Sequence, residues 1–228
     1  MELVYLLVRS KKRKKTISIQ LRADGTILVY APYRTPIGEI DNFFNKKKMW
    51  LSRIIGEREK RLKEFKPKEY LSGELFLYLG IPYPLRIADE SNGRCPLAFS
   101  SGQFVLDRHK VHQGREHFVD WYKKKSREYI EKTVKHYSRA LGLNPGKIRI
   151  SNALCRWGSC SSDNNLSFSW RLIMAPCSVV DYVVVHELTH MREKNHGIRF
   201  WGLVEKTIPD YKKQRLWLKE NSHLLTVL

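Results

Sequence analysis

The sequence predicts an α+β protein. Three observations carry this. Residues 16–22 alternate cleanly and run into a hairpin signal. An apolar stripe at helical spacing begins after Thr35-Pro36. A third segment, around residues 178–190, places valines and two histidines at helical spacing. Alternation at period two marks a half-buried strand, and recurrence at three and four residues marks a helix face.

Residues 2–9 are β-rich, and Asp24-Gly25 turns the strand at 16–22 back into Ile27–Ala31. Thr35 and Pro36 fit the cap and first position of a helix. Its stripe of Ile40, Phe43, Phe44, Trp50, Leu51, Ile54 and Ile55 predicts that it runs to about Lys63, and Pro67 closes it. Residues 70–107 read as short strands broken at Gly73, Gly80, Asn92-Gly93 and Gly102. A long basic amphipathic helix is expected over 115–141, ended by Asn144-Pro145-Gly146. Ile148–Ile150 and Leu166–Ile173 are expected strands. Helices follow from about Ile198 and about Tyr211, separated by Pro209. The expected boundary separates an N-terminal α+β region at 1–110 from a second domain at 111–228.

The chain has 228 residues, 42% of them hydrophobic, enough for a substantial core. Its longest apolar stretches are far too short to span a bilayer, and the N-terminus lacks a secretory-signal pattern. Four cysteines in a chain this long do not make a disulfide framework, so reduced thiols and a cytoplasmic location are expected. Cys155 and Cys160 lack the spacing of a paired zinc knuckle. The formal charge is +19, shared almost evenly between the two halves. A folded body with this charge attracts nucleic acid, nucleotides or other polyanions. A solvated, highly soluble surface is the competing account.

Residues 186–196 read His-Glu-Leu-Thr-His-Met-Arg-Glu-Lys-Asn-His. His186 and His190, four apart, leave one face of a helix and make half of a tetrahedral zinc site. Glu187 follows the first ligand and can reach a water on the metal, the general-base position of a metal hydrolase. Ser178 and Asp181 form a candidate capping box after Pro176. His196 lies about 9 Å further along the axis if the helix continues. It can share the metal only if the helix stops after about Arg192 and the chain turns back. Asn195 and Gly197, residue types that tolerate left-handed backbone, flank it. Glu193 and the more remote Glu205 are the competing third ligands.

Further residues carry two readings each. Leu166–Leu172, with Leu166, Phe168 and Trp170, is either an edge strand that holds an extended substrate or an ordinary core strand. Arg156, Trp157, Ser159 and Cys160 form either a turn facing the cleft, with Arg156 available to an oxyanion or a phosphate, or a structural turn. Phe200 and Trp201 are expected to pack behind the third ligand. Tyr211 is a candidate transition-state donor.

Several of these runs belong together. Arg156–Ser161, Leu166–Leu172, Asp181–Leu188, Asn195-His196 and Phe200-Trp201 resemble the YgjP-like (DUF45) metallopeptidases. Tyr78-Leu79-Gly80 and Tyr83-Pro84-Leu85 resemble the N-terminal half of that family. The resemblance implies a zincin-like domain and a relation to WLM and SprT-type proteases, which act on proteins bound to DNA. By position it implies zinc held by His186, His190 and His196, with Glu187 as the base. Part of the family carries a nucleotide pyrophosphatase label.

The expected activity is therefore that of a zinc-dependent hydrolase, a metallopeptidase acting on protein or peptide. One alternative keeps the metal and changes the substrate to a nucleoside triphosphate. Another is a nucleic-acid-binding protein with a structural zinc, for which Cys160 would supply a fourth ligand.

Overall fold

The computed structural model describes residues 3–11, 13–22, 25–64, 68–89, 95–154, 156–226 and 228, with backbone alone over 57–64. Asp24, Pro67, Asn92-Gly93 and Cys155 lie outside the described residues. The chain forms two units, Met1–Lys66 and Pro67–Leu228.

In the first unit, β1 (Leu6–Ser10), β2 (Ser18–Leu21) and β3 (Ile27–Pro32) form one sheet in the order β1-β3-β2. β2 and β3 are the expected antiparallel hairpin, with Ile19 opposite Val29. Gly25 holds φ +90°, the left-handed region that such a turn requires. β1 joins β3 in parallel, a pairing that no local pattern encodes. Helix α1 (Ile37–Glu64) buries Ile40, Phe44 and Leu51 in one cluster with Val29 and Ala31. Trp50 stays 46% exposed, so the buried stripe is narrower than the apolar one.

The second unit opens with β4 (Leu75–Tyr78), β5 (Ile81–Ala88), β6 (Leu97–Ser100) and β7 (Gln103–Asp107), ordered β4-β5-β7-β6. These strands pack on α2 (Gly114–Leu141). The rings of Phe76 and Phe118 stack with centroids 3.9 Å apart, and the Tyr122 hydroxyl donates to the Leu77 carbonyl at 2.7 Å. This shared core moves the boundary from 110/111 to 66/67, because the strands at 75–107 bury their apolar faces against α2. The helix also ends earlier than Asn144-Pro145-Gly146. Gly142, at φ +61°, caps it and donates to the Arg139 and Ser138 carbonyls.

A second sheet carries β8 (Ile148–Ser151), β10 (Leu166–Ser169) and β9 (Gly158–Cys160), in that spatial order. β10 runs parallel to β8 and antiparallel to β9. The predicted strand through Ile173 stops at Ser169, and Trp170–Met174 form a 3-10 turn that leads into α3 (Cys177–Thr189). α4 (Ile198–Thr207) and α5 (Tyr211–Asn221) follow. No described helix is long and apolar enough to cross a membrane.

α3 is the centre of the unit. Val180, Val184, Val185 and Leu188 are fully buried. The capping box is not formed: Pro176 occupies the N-cap position without a side-chain bond. Asp181 faces α2 instead, accepting from the hydroxyls of Tyr129 and Tyr137 at 3.4 Å each. The β4–β5 turn fastens the entry to α3. Leu79 and Gly80 donate backbone bonds to Ile173 and Met174, and a Cβ on Gly80 would stand 2.8 Å from Pro176.

Candidate metal centre

His186 lies on the last turn of α3 and His190 caps its end in helical conformation, so the two project from one face, and their ring centroids are 5.0 Å apart. The helix ends at Thr189, slightly before the expected stop. Arg192 and Glu193 still donate to the Thr189 carbonyl before the chain turns. The turn uses no left-handed residue at Asn195 or Gly197. Gly197 is extended at φ −80° and donates to the Asn195 carbonyl at 2.8 Å. This compact turn returns His196 to the first histidine.

The Nε2 atoms of His186 and His196 stand 3.0 Å apart. One ligand atom from each of His186, His190 and His196 lies within 4.8 Å of the others. Nitrogens bound tetrahedrally at zinc distances are separated by roughly 3.3 Å, so small ring rotations suffice to close the triad on one ion. Nδ1 of His190 lies 3.1 Å from the Glu193 carbonyl. As a donor to that carbonyl it leaves the Nε2 lone pair free for a metal. Nδ1 of His186 is buried and meets no partner. Burial, then His190, His196 and Arg215, lower the pKa of His186 from 6.5 to about 3. Burial also lowers that of His190. Both imidazoles are thus neutral at pH 7, the form that binds a metal. The donor set and its spacing fit a zinc-like ion.

The competing acids stand elsewhere. Glu193 offers His190 its carbonyl, and Glu205 lies near Lys212, 3.5 Å away. Neither belongs to the converging group, and nor does Cys160. Behind the triad, the buried Phe200 ring lies 4.8, 4.6 and 4.7 Å from the rings of His186, His190 and His196. Trp201 stacks on His196 at 5.8 Å. Tyr211 is buried and its ring stacks on Trp201 at 5.2 Å.

Glu187 is 6% exposed, and its side chain lies against Gly158 of β9. Burial raises its pKa from 4.5 to about 7, against the opposing charge of Arg156. A cleft of about 400 Å³ opens beside it, lined by Arg156, Ser159, Cys160 and Lys194 as well as the histidines. Trp157 packs on the hydrophobic core instead. Lys194 and Gly158 are cleft residues that sequence reasoning did not single out. The only signal for Gly158 was its place in the Arg156–Ser161 turn, and Lys194 had none.

The edge-strand reading of Leu166–Leu172 is overturned. β10 is the central strand, and Leu166, Phe168 and Trp170 are fully buried. Phe168→Ala is accordingly expected to cost about 3–5 kcal/mol of stability, measured by denaturant unfolding. The outer strands are β8 and β9, and β9 is the one that lines the cleft. Ser169 donates to the Trp157 carbonyl and Ser161 to the Asn165 carbonyl, so residues 157, 159 and 161 turn their main-chain groups toward β10. By alternation, Gly158 and Cys160 direct theirs outward from the sheet.

A family model described as YgjP-like, metallopeptidase domain, matches residues 15–221. The chain belongs to the YgjP-like metallopeptidase family. It is thus a metal-dependent peptidase, with protein or peptide as its substrate class. Two solved structures are similar over part of it. One is the metallopeptidase zymogen of Pyrococcus abyssi abylysin, 24% identical, covering 40% of this chain and 93% of that one, with a TM-score of 0.37. The other is the metallopeptidase zymogen of Methanocaldococcus jannaschii jannalysin, 21% identical, covering 40% and 88%, also with a TM-score of 0.37. No curated protein matches.

Gly158 sets the position of the Glu187 carboxyl. A Cβ there would stand 2.6 Å from both Cγ and Oε1 of Glu187, closer than such atoms approach. Gly158→Ala must therefore displace the carboxyl. A displacement of about 1 Å can cost on the order of 100-fold in rate. We expect kcat on a protein substrate to fall about 10–100-fold at unchanged metal content. Unchanged kcat would mean that the carboxyl relaxes without consequence.

Proposed function

We propose that this YgjP-like protein is a zinc peptidase in which His186, His190 and His196 would hold the ion and Glu187 acts as general base. The observation that carries this reading is the convergence of three imidazoles beside one buried carboxyl, with a cleft next to them and no fourth ligand among the described residues. A structural site would be closed by a fourth protein ligand. When bound, zinc would supply Lewis acidity to a scissile carbonyl and to a water.

Glu187 takes the proton of the attacking water and returns it to the leaving amine. A pKa raised toward 7 by burial suits a group that must be base and then acid. Its fixed contact with Gly158 keeps the carboxyl oriented. The outward main-chain groups of Gly158 and Cys160 offer an extended peptide the pairing positions of an added strand. Arg156, at the rim of the cleft, supplies positive charge to a developing oxyanion.

The test is a parallel assay of the purified chain against casein, casein with DNA, and nucleoside triphosphates. Casein cleavage that a chelator abolishes and zinc restores is expected. Turnover of the triphosphates alone would replace the peptidase reading with a pyrophosphatase. The charge of +19 supports a second property, weak nucleic-acid binding that falls steeply with salt.

A further inference from the structure

The first unit contains a pocket that the peptidase chemistry does not use. Lys11, Arg13, Lys14, Pro32, Tyr33 and Arg34 line an opening of about 420 Å³. Four of these six residues are cations, and none is an acid. The fold explains why they meet. β1 and β3 are parallel, so both end on the same side of the sheet, at Ser10 and Pro32. The segments that leave these two ends carry the cations.

Two further features favour an anion. Arg9 donates to the carbonyls of Tyr33 and Thr35 at 2.6 and 2.8 Å, which fixes the turn at 33–35 and adds another positive charge beside it. α1 begins at Ile37, directly after this turn, so the positive end of its dipole lies close by. Glu39, in its first turn, opposes this and is not among the lining residues.

The aromatic residue selects among anions. Tyr33 is 59% exposed, and Lys11 lies 5.8 Å from its ring centroid. Arg13 lies over the Tyr30 ring at 5.2 Å and donates to the Ser18 hydroxyl at 2.9 Å. An exposed ring among cations serves a ligand with both phosphates and flat bases. Single-stranded nucleic acid has that chemistry, its bases stacking while the backbone follows the charge. An acidic peptide would use the cations and leave the ring idle.

We infer that the N-terminal unit carries a binding site for single-stranded nucleic acid, with Lys11, Arg13, Lys14 and Arg34 on phosphates and Tyr33 under a base. This site rests on the wider reading that the protein binds nucleic acid, and the experiment separates the two. A labelled single-stranded oligothymidylate is titrated with the full chain at low and raised salt, read by fluorescence anisotropy. The Lys11→Gln/Lys14→Gln/Arg34→Gln variant is compared with Lys46→Gln/Lys47→Gln/Lys48→Gln, which removes equal charge from the exposed face of α1. Thermal unfolding checks that both variants fold.

The pocket variant is expected to bind about tenfold or more weakly, with a salt slope reduced by about one for each phosphate that the protein no longer neutralises. The α1 variant should bind nearly as well as the wild type. Tyr33→Ala should weaken single-strand binding about fivefold or more and leave duplex binding in place. Absence of wild-type binding at low salt would remove the wider reading. Equal losses in the two triple variants, with the wild type binding, would overturn the site alone. Binding unchanged in Tyr33→Ala, or displacement by polyglutamate as effective as by unlabelled oligothymidylate, would overturn the single-strand assignment.

Discussion

Glu187→Gln is expected to keep the metal and lose hydrolysis, with kcat down about 10²–10⁴-fold. Glutamine matches glutamate in shape, so the packing against Gly158 survives. It has no carboxylate to take a proton, so the base is lost. Burial makes the variant easy to accommodate: an amide carries no charge, whereas burial penalises the charged form of the wild-type carboxyl. The substitution leaves all three histidines of the triad in place. Metal content by mass spectrometry and kcat on a cleaved protein give the two readouts. Loss of metal and fold together would make Glu187 structural. Near-wild-type turnover would take it out of the mechanism.

The parts of this centre that were legible in the sequence are those that obey a local period. Two histidines four apart share a helix face wherever the helix forms, and the valines from Val179 to Val185 ensure that it does. The third histidine was legible through a steric argument, since only a chain reversal brings it to the others. The conformation of that reversal was not. Asn195 and Gly197 suggested left-handed backbone, yet the turn closes through a short bond from Gly197 to Asn195 with neither residue at positive φ.

What the sequence could not show depends on partners distant along the chain. β9 is three residues, Gly-Ser-Cys, too short for alternation to register. Its existence rests on pairing with β10. That same pairing turns β10 from a candidate edge into the centre of the sheet and buries Phe168. The capping box failed for a similar reason: Asp181 had a better use, facing two tyrosines of α2. The boundary at 110 failed because strands with separate local signals share their core with a helix that follows them.

The strongest test of the metal centre is His196→Ala. His196 is exposed and lies outside the helices, so its removal leaves the buried valines of α3 and the Phe200 core in place. The fold should survive, with unchanged circular dichroism. Zinc affinity should drop by more than about 100-fold, beyond the 10–100-fold typical for loss of an outer partner. Added zinc stabilises the wild type in proportion to the logarithm of one plus the ratio of its free concentration to Kd, so the zinc-induced rise in Tm should also vanish. Glu193→Ala is the matched control. Its carbonyl, not its carboxylate, meets His190, and alanine keeps that carbonyl. Metal retained by His196→Ala and lost by Glu193→Ala would reverse the assignment and make the acid the third ligand. The opposite pattern is expected, because the chain turn after α3 brings Nε2 of His196 to 3.0 Å from that of His186. At that distance one imidazole donates an N–H···N bond to the other, and a metal ion would take the place of the shared proton.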